Sequence, residues 1–300
     1  MGNDNEREHA PTTFGRAFAI GIALNTAYVV IEAIYGVASN SLALLADAGH
    51  NLSDVLGLAV AWGAAVLTLR PPSQRYTYGL RGSSILAALF NSTFLLLTFG
   101  AIGWEAIQRL FQPQPVGGVT VMIVAAVGIL VNGITAWLFA SGRKGDLNIR
   151  AAFVHMASDA VVSAGVVAAG LVIVVTGWLW LDPLVSLVVA AVVVGETWGL
   201  MRESLAMSLA AVPSEIAPAE VKGFLANGTG VSTVHDLHIW PMSTTEVAMT
   251  AHLVMPGGHP GDEAIFSMES ELQKRFGIGH VTLQVETGQL DCPLAPDELV

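Results

Sequence analysis

Two short motifs combine a histidine with an aspartate four residues later, and both lie in long apolar stretches. His50 precedes Asp54 in HNLSD, and His155 precedes Asp159 in HMASD. Residues four apart stack on one face of an α-helix, so each segment would present one imidazole beside one carboxylate. Two such helices facing each other would form a cage of two nitrogen and two oxygen ligands.

A cage of this kind predicts a metal site. Two nitrogens and two oxygens at about 2.0–2.2 Å in a tetrahedral arrangement suit Zn²⁺, which has no geometric preference of its own. Cobalt, cadmium or iron would also fit. The alternative is that the pairs only form hydrogen bonds between membrane helices. Each charged group near mid-membrane costs roughly 2.5–3.5 kcal/mol, so four of them favour a function over packing.

Three other acidic residues lie in the same kind of apolar stretch. Asp47 comes one turn before His50, and we expect it to act as a proton relay or at the point where the metal enters the site. A helix-packing or capping role explains Asp47 equally well. Glu32 and Glu196 are isolated from the two motifs in the sequence, so they are weaker candidates for a functional role.

The composition places these motifs in a membrane. Of the 300 residues, 53% are hydrophobic and 12% charged, and the mean hydropathy is +0.61, outside the range of ordinary soluble proteins. A net charge of -11 with scattered Lys and Arg excludes a nucleic-acid partner and favours cations. The single cysteine, Cys292, excludes a disulfide framework and a Cys-rich zinc module. The acidic N-terminus predicts a retained first helix and no cleaved signal peptide.

Six apolar stretches are long enough to cross about 30 Å of hydrocarbon. They cover residues 14–37, 41–69, 85–110, 117–140, 149–176 and 183–201. Basic residues cluster at one set of ends, and the opposite ends carry only Arg109, which predicts that both termini are cytoplasmic. A tail of residues 1–13 would then precede a transmembrane transport domain of residues 14–202.

Residues 203–300 have the composition of a soluble domain with its own small core. Hydrophobic spacing predicts a helix, two strands, a second helix and a third strand, in the order αββαβ. This order fits an antiparallel or mixed sheet with both helices on one face, an α+β domain. Five histidines of this segment are candidate ligands: His235, His238, His252, His259 and His280. Strand alternation places the first two on different sides of the sheet.

Five segments resemble the cation diffusion facilitator family of divalent-metal exporters. They are SLALLADAGHNLSD, YGLRGSSILAALFN, HMASD, DPLVSLVVA and HDLHIW, and the resemblance extends over nearly the whole chain. It implies a homodimer in the lipid bilayer, with six transmembrane helices per subunit and a cytoplasmic metallochaperone-like α+β domain. It also implies the exchange of Zn²⁺ or a related cation for protons.

The resemblance implies a transport site made of the two histidines and two aspartates of the paired motifs: His50, Asp54, His155 and Asp159. Histidine at the first of these positions, where some members have aspartate, is similar to the branch that selects zinc, cadmium and cobalt over manganese.

The resemblance also implies a regulatory zinc site in the C-terminal domain, with three histidines and a glutamate as ligands: His235, His252, His280 and Glu286. Cys292 would be an extra ligand. The alternative is that these side chains only pack in the domain, and for His238 and Trp240 we expect sheet packing.

The chain departs from the family pattern at the start of the third helix. In GLRGSS, Gly82 and Ser84 occupy the places of a basic residue and a glutamate, so the salt bridge that ties this helix near the dimer contact is not expected. The loop SGRKGDLN lacks the histidine-rich insert of many eukaryotic zinc transporters. We therefore expect a bacterial plasma-membrane protein.

Ligand chemistry predicts how such a site would move metal. Imidazole must be neutral and carboxylate ionised to bind a cation, so protons and Zn²⁺ compete for the same groups. A histidine titrates at about pH 6.5, and alternating exposure of one site to two sides converts competition into exchange. The sequence therefore predicts an exporter of Zn²⁺, or of Cd²⁺, Co²⁺, Ni²⁺ or Fe²⁺, driven by the inward proton gradient.

Two other classes of protein could place histidine and acidic residues in this way. An intramembrane metalloprotease would need a motif of the HExxH type, and the sequence contains none, so we expect no enzyme. A membrane-bound metal sensor or structural dimer without transport would use the C-terminal domain as its working part. A flux assay separates that class from an exporter.

Overall fold

The structure, a computed structural model, describes residues 12–140, 147–290 and 292–295. Within these ranges the chain begins with six long helices: α1 Thr12–Ala38, α2 Leu42–Thr68, α3 Ser83–Phe111, α4 Gly118–Ala140, α5 Leu147–Thr176 and α6 Leu181–Ser208. Each of them coincides with one of the six predicted apolar stretches to within two residues at either end, except at the end of α6. Most of the predicted N-terminal tail lies outside the described residues.

The sixth helix ends later than predicted. Its apolar stretch was expected to end at residue 201, but α6 continues to Ser208. Arg202, Glu203 and the residues after them favour helix intrinsically, so the change in composition marks the end of the apolar surface and not the end of the helix.

Four helices in the described ranges are long and apolar enough to cross a membrane: Ser83–Phe111, Gly118–Leu138, Phe153–Thr176 and Leu181–Ser208. A further apolar helical segment, Ala23–Ala38, is shorter. The chain is therefore an integral membrane protein.

The chain divides into two compact units. The first comprises Met1–Ala59 and Asn91–Trp198, and the second comprises Val60–Phe90 and Gly199–Val300. The second unit therefore includes the end of α2, the following loop and the start of α3 as well as the C-terminal segment.

Close helix contacts fix α5 within the first unit. α4 packs along α5 and against α1. A Cβ atom at Gly118 would lie 2.9 Å from the Val174 side chain, and one at Gly170 would lie 3.2 Å from the Gly118 carbonyl oxygen. Glycine at these two positions therefore permits the close approach of α4 and α5, as small residues do between membrane helices.

The N-terminus of α2 is held by a carboxylate from the start of α6. Asp182 accepts hydrogen bonds from the hydroxyl of Ser41 and from the backbone N–H groups of Leu42 (2.7 Å) and Ala43 (3.3 Å). An acidic group at a helix N-terminus satisfies free N–H donors and complements the helix dipole. This contact fixes the position of α2, which carries the first histidine–aspartate motif.

The predicted order of the C-terminal elements is confirmed. The chain continues with α7 Pro218–Ala226, β1 Thr233–Pro241, β2 Val247–Val254, α8 Asp262–Phe276 and β3 Ile278–Glu286. The sheet order is β1-β2-β3, antiparallel between β1 and β2 and parallel between β2 and β3. Leu225 of α7 and Leu272 of α8 are fully buried in one core with Met249 and Leu253 of β2, so both helices cover the same face.

An irregularity in β1 changes the simple alternation of its side chains. The pairing register with β2 shifts between His235 and His238, and Asp236 has a φ of 50°, in the left-handed region that aspartate tolerates better than most residues. Just before the shift along β1, His235 lies directly opposite His252 of β2.

Within the second unit, the start of α3 contacts the turn between β1 and β2. Arg81 forms an ion pair with Glu246 at 2.5 Å, and the backbone N–H of Thr244 donates to Ser84 Oγ at 3.1 Å. The start of α3 is thus bound to this turn through Arg81, the residue before Gly82, and through Ser84.

We expect Glu246→Gln to lower the free energy of unfolding by less than about 1 kcal/mol. Both side chains of the ion pair are about 40% exposed, and exposed pairs contribute little. Thermal unfolding of the two proteins at low salt measures the difference. It should vanish in 1 M salt, where the Debye length is about 3 Å. A loss that persists at high salt would mean that Glu246 acts through something other than this ion pair.

Candidate metal centres

Three of the four predicted membrane ligands lie together in the first unit. Nε2 of His50, on α2, is 3.4 Å from Oδ1 of Asp159, on α5. Nε2 of His155, one turn earlier on α5, is 3.7 Å from Oδ2 of the same carboxylate. The centroids of the two imidazole rings are 6.0 Å apart. Asp159 therefore lies between two imidazoles from two helices, and we call this group the membrane centre.

The carboxylate of this group is buried without full hydrogen bonding. Asp159 is 1% exposed, and no described donor bonds to its Oδ2. A buried carboxylate oxygen without a donor is costly, so the position favours a bound cation. Asp54 follows His50 by one turn on α2, but its side chain lies outside the described part of the structure.

A cavity of about 860 Å³ opens beside this group within the first unit. His50, His155 and Asp159 line it, together with aliphatic side chains of α5 and α6. Glu196, which is distant from both motifs in the sequence, also lines this cavity. The volume accommodates a hydrated divalent ion, and the apolar walls strengthen the attraction between that ion and the few charged groups.

Asp47 occupies a different place from the three predicted ligands. It is fully buried, its carboxylate accepts a hydrogen bond of 3.1 Å from Ser163 Oγ, and it is not one of the described residues that line the cavity. This position fits a relay of protons better than a point where metal enters.

A second group of metal-binding side chains lies in the C-terminal segment. One ligand atom from each of four residues lies within 4.8 Å of the others: His235, His252, Glu286 and Cys292. We call this group the sheet centre, because β1, β2 and β3 each supply one ligand. Glu286 Oε2 is 3.4 Å from His235 Nε2, and Oε1 is 3.0 Å from His252 Nδ1.

The donor set of the sheet centre suits a divalent cation. Cys292 Sγ lies 3.6 Å from His252 Nδ1, and Nε2 of His235 is buried without a hydrogen-bond partner among the described residues. Burial acts to raise the pKa of Glu286, but hydrogen bonds from Gln284 and Cys292 and the charge of the two imidazoles outweigh it and hold the pKa below its usual value. The carboxylate is therefore ionised at neutral pH, as a ligand must be.

The structure does not bring His280 to the sheet centre. It lies on β3 six residues before Glu286, roughly 20 Å along the strand, and its ring packs edge-on against Tyr78 with centroids 5.5 Å apart. Two residues that far apart on one extended strand cannot bind the same ion. Cys292, from the segment after β3, takes the place expected for His280.

Sequence reasoning missed Asp236 beside the sheet centre. Its carboxylate lies 2.9 Å from His238 Nε2 and 3.3 Å from His252 Nε2, so it connects a ligand with the neighbouring histidine. An aspartate between two histidines in HDLH was the available signal. Its left-handed backbone conformation and its contact with His252 are not readable from that pattern.

Residues 18–207 match the family described as the cation efflux transmembrane domain, and residues 213–288 match the cation efflux protein cytoplasmic domain. The chain is 34% identical over 290 residues to the cation efflux system protein CzcD of Alcaligenes sp. (strain CT14), which covers 95% of this chain and 90% of that protein.

Two further relatives carry the names of the metals. The zinc transporter ZitB of Pectobacterium atrosepticum is 34% identical over 289 residues, covering 96% of this chain and 90% of that protein. The cadmium, cobalt and zinc/H(+)-K(+) antiporter of Bacillus subtilis is 35% identical over 277 residues, covering 91% and 89%. By its two matched domains and by these relatives, the chain belongs to the cation diffusion facilitator family of metal transporters.

Proposed function

We propose that this protein exports Zn²⁺ from the cytoplasm in exchange for protons, through the membrane centre with Asp54 as its fourth ligand. The observation that carries the proposal is a buried carboxylate, Asp159, held between two imidazoles from different helices beside a cavity. Relatives named for zinc, cadmium and cobalt support a divalent metal as the substrate. Nitrogen and oxygen ligands in this number suit Zn²⁺.

The proposed mechanism is competition at one set of atoms. Zn²⁺ from the cytoplasm binds when both imidazoles are neutral and both carboxylates are ionised, and its binding displaces protons. When the centre opens to the opposite side, protons arriving there bind the same atoms and release the metal. An inward proton gradient then drives the metal outwards.

The proposal includes the arrangement in the membrane. All six long helices cross the bilayer, both termini are cytoplasmic, and the protein works as a homodimer in a bacterial plasma membrane. The alternation of basic residues between helix ends supports this orientation. The match of residues 213–288 to a cytoplasmic domain supports the location of the C-terminal segment.

The sheet centre is proposed to bind Zn²⁺ as a regulator. His235, His252 and Glu286 supply the ligands expected from the sequence, and Cys292 completes the set. A metal sensor without transport would use the same centre. The two functions separate in a flux assay, since an exporter moves Zn²⁺ across a sealed vesicle membrane and a sensor does not.

We expect His50→Asp to shift the cation preference from Zn²⁺ and Cd²⁺ towards Mn²⁺ without abolishing transport. The change replaces a borderline nitrogen ligand with a hard oxygen, and oxygen ligands suit Mn²⁺. Uptake into proteoliposomes across a panel of divalent cations measures the preference. An unchanged cation profile would tell against a ligand role for His50.

A further inference from the structure

Two fully buried carboxyl groups lie next to each other in the first unit. Glu32 of α1 and Asp47 of α2 are both 0% exposed. Tyr28 Oη donates to Glu32 Oε1 at 2.8 Å, and Asn51 Nδ2 donates to Oε2 at 3.3 Å. Ser163 Oγ donates to Asp47 Oδ2 at 3.1 Å. We call these two carboxyls the acid pair.

The hydrogen bonding of the acid pair is complete only with a proton. Asn51, which donates to Glu32, lies one turn after Asp47 on the same face of α2, so the two carboxyls lie at the same contact between α1 and α2. No described donor bonds to Asp47 Oδ1. Ionised carboxylates are acceptors only, so two of them bond to each other only when one holds a proton. A shared proton also removes one of two adjacent buried negative charges, which would otherwise repel.

The surroundings favour a proton over a metal ion in this place. The phenol, amide and hydroxyl around the acid pair all direct donor hydrogens at its oxygens, whereas a cation needs acceptors. The packing is also tight, because a Cβ at Gly128 would lie 2.3 Å from Tyr28 Oη. No Lys or Arg in the described ranges forms an ion pair with either carboxyl.

The acid pair is tied to both helices of the membrane centre. Asp47 comes one turn before His50 on α2, and its partner Ser163 comes one turn after Asp159 on α5. One turn is about 5.4 Å of helix rise. Among the described side chains, the titratable groups close enough for their charge to act on the pair are Tyr28 on α1, His50 on α2 and Asp159 on α5. α4 has no titratable residue.

We propose that Glu32 and Asp47 bind one shared proton and release it to solvent when a divalent cation occupies the membrane centre. The positive charge of a cation about one turn away opposes the proton, and the acid pair then carries a second negative charge that attracts the cation. When the metal leaves, the pair takes up a proton again. This inference rests on the proposed function and adds a proton that the metal ligands themselves do not bind.

The test counts the protons released when Zn²⁺ binds to the purified full-length protein in weakly buffered solution with a pH indicator. All proteins carry His252→Ala, so that only the membrane centre is measured. Glu32→Gln and Asp47→Asn should each release about one proton fewer per Zn²⁺ bound. The amide that each substitution introduces can donate a hydrogen bond to the remaining carboxylate, in place of the shared proton. Glu105→Gln, at a carboxyl paired with Arg109 elsewhere on the chain, should leave the number unchanged.

Glu32→Gln and Asp47→Asn proteins that bind Zn²⁺ and release as many protons as the parent would overturn the inference. If both variants fail to fold, infrared difference spectra of the parent protein decide, because Zn²⁺ should remove a protonated-carboxyl band and no such loss would refute the shared proton. The Asp159→Ala variant separates this inference from the proposed function. Zinc binding that survives Asp159→Ala would refute the membrane centre itself, whatever the proton count.

Discussion

Asp159→Ala is expected to reduce Zn²⁺ transport at least about a hundredfold, to the level of vesicles without protein. Loss of a group that merely orients a metal ligand costs 10- to 100-fold, and Asp159 is itself a proposed ligand. Its two oxygens lie 3.4 and 3.7 Å from the two imidazoles, so its removal takes away the carboxylate that contacts both. Zinc uptake by proteoliposomes measures the loss.

The matched controls separate a ligand from a packing residue. Asp159→Asn keeps the size of the side chain and removes its charge, and it should lose transport as fully as Asp159→Ala. Glu105→Ala removes a carboxylate that pairs with Arg109 on α3, and it should transport normally. Transport by Asp159→Asn at the wild-type rate would show that Asp159 is not a ligand.

His252→Ala is expected to abolish the stabilisation of the protein by Zn²⁺ at the sheet centre. A ligand that binds only the folded state stabilises it by about 2.7 kcal/mol at a hundredfold excess over Kd. His252 contacts Glu286 at 3.0 Å and Cys292 at 3.6 Å, so its removal takes away the ligand nearest to two others. Thermal unfolding with and without Zn²⁺ measures the effect. The full-length protein used carries Asp159→Ala, so that the membrane centre does not bind Zn²⁺ in this experiment.

His280→Ala is the matched control for the sheet centre. It removes a histidine of the same sheet that lies outside the group, so the response to Zn²⁺ should remain complete. The sheet centre would be wrongly assigned if His280→Ala removed the response to Zn²⁺ and His252→Ala kept it.

Local spacing predicted much of the fold and most of the membrane centre. Residues four apart in HMASD stack on one helix face wherever that helix lies, so His155 and Asp159 could be paired from the sequence alone. Apolar run length placed all six helices, and alternation placed all three strands. These features depend on neighbours in the chain, which the sequence contains directly.

Contacts between distant segments were harder to predict. Glu32 looked isolated because its partner Asp47 is fifteen residues away on another helix, and helix packing brings them together. His280 was expected as a ligand and Cys292 only as an extra one, although His280 lies near the start of β3 and Cys292 lies beyond its end. Which of the two joins the sheet centre depends on which end of β3 lies near His235 and His252, and on the path of the chain after β3. Neither is encoded in local periodicity.

The most direct test of the account is zinc uptake by proteoliposomes whose transporters have the cytoplasmic face outwards, with an acidic interior. We predict that Zn²⁺ accumulates inside against its own gradient, that protons leave as it enters, and that a protonophore stops the accumulation. Uptake that is the same with and without the pH gradient, or no uptake of any divalent cation, would contradict proton-driven export through the membrane centre.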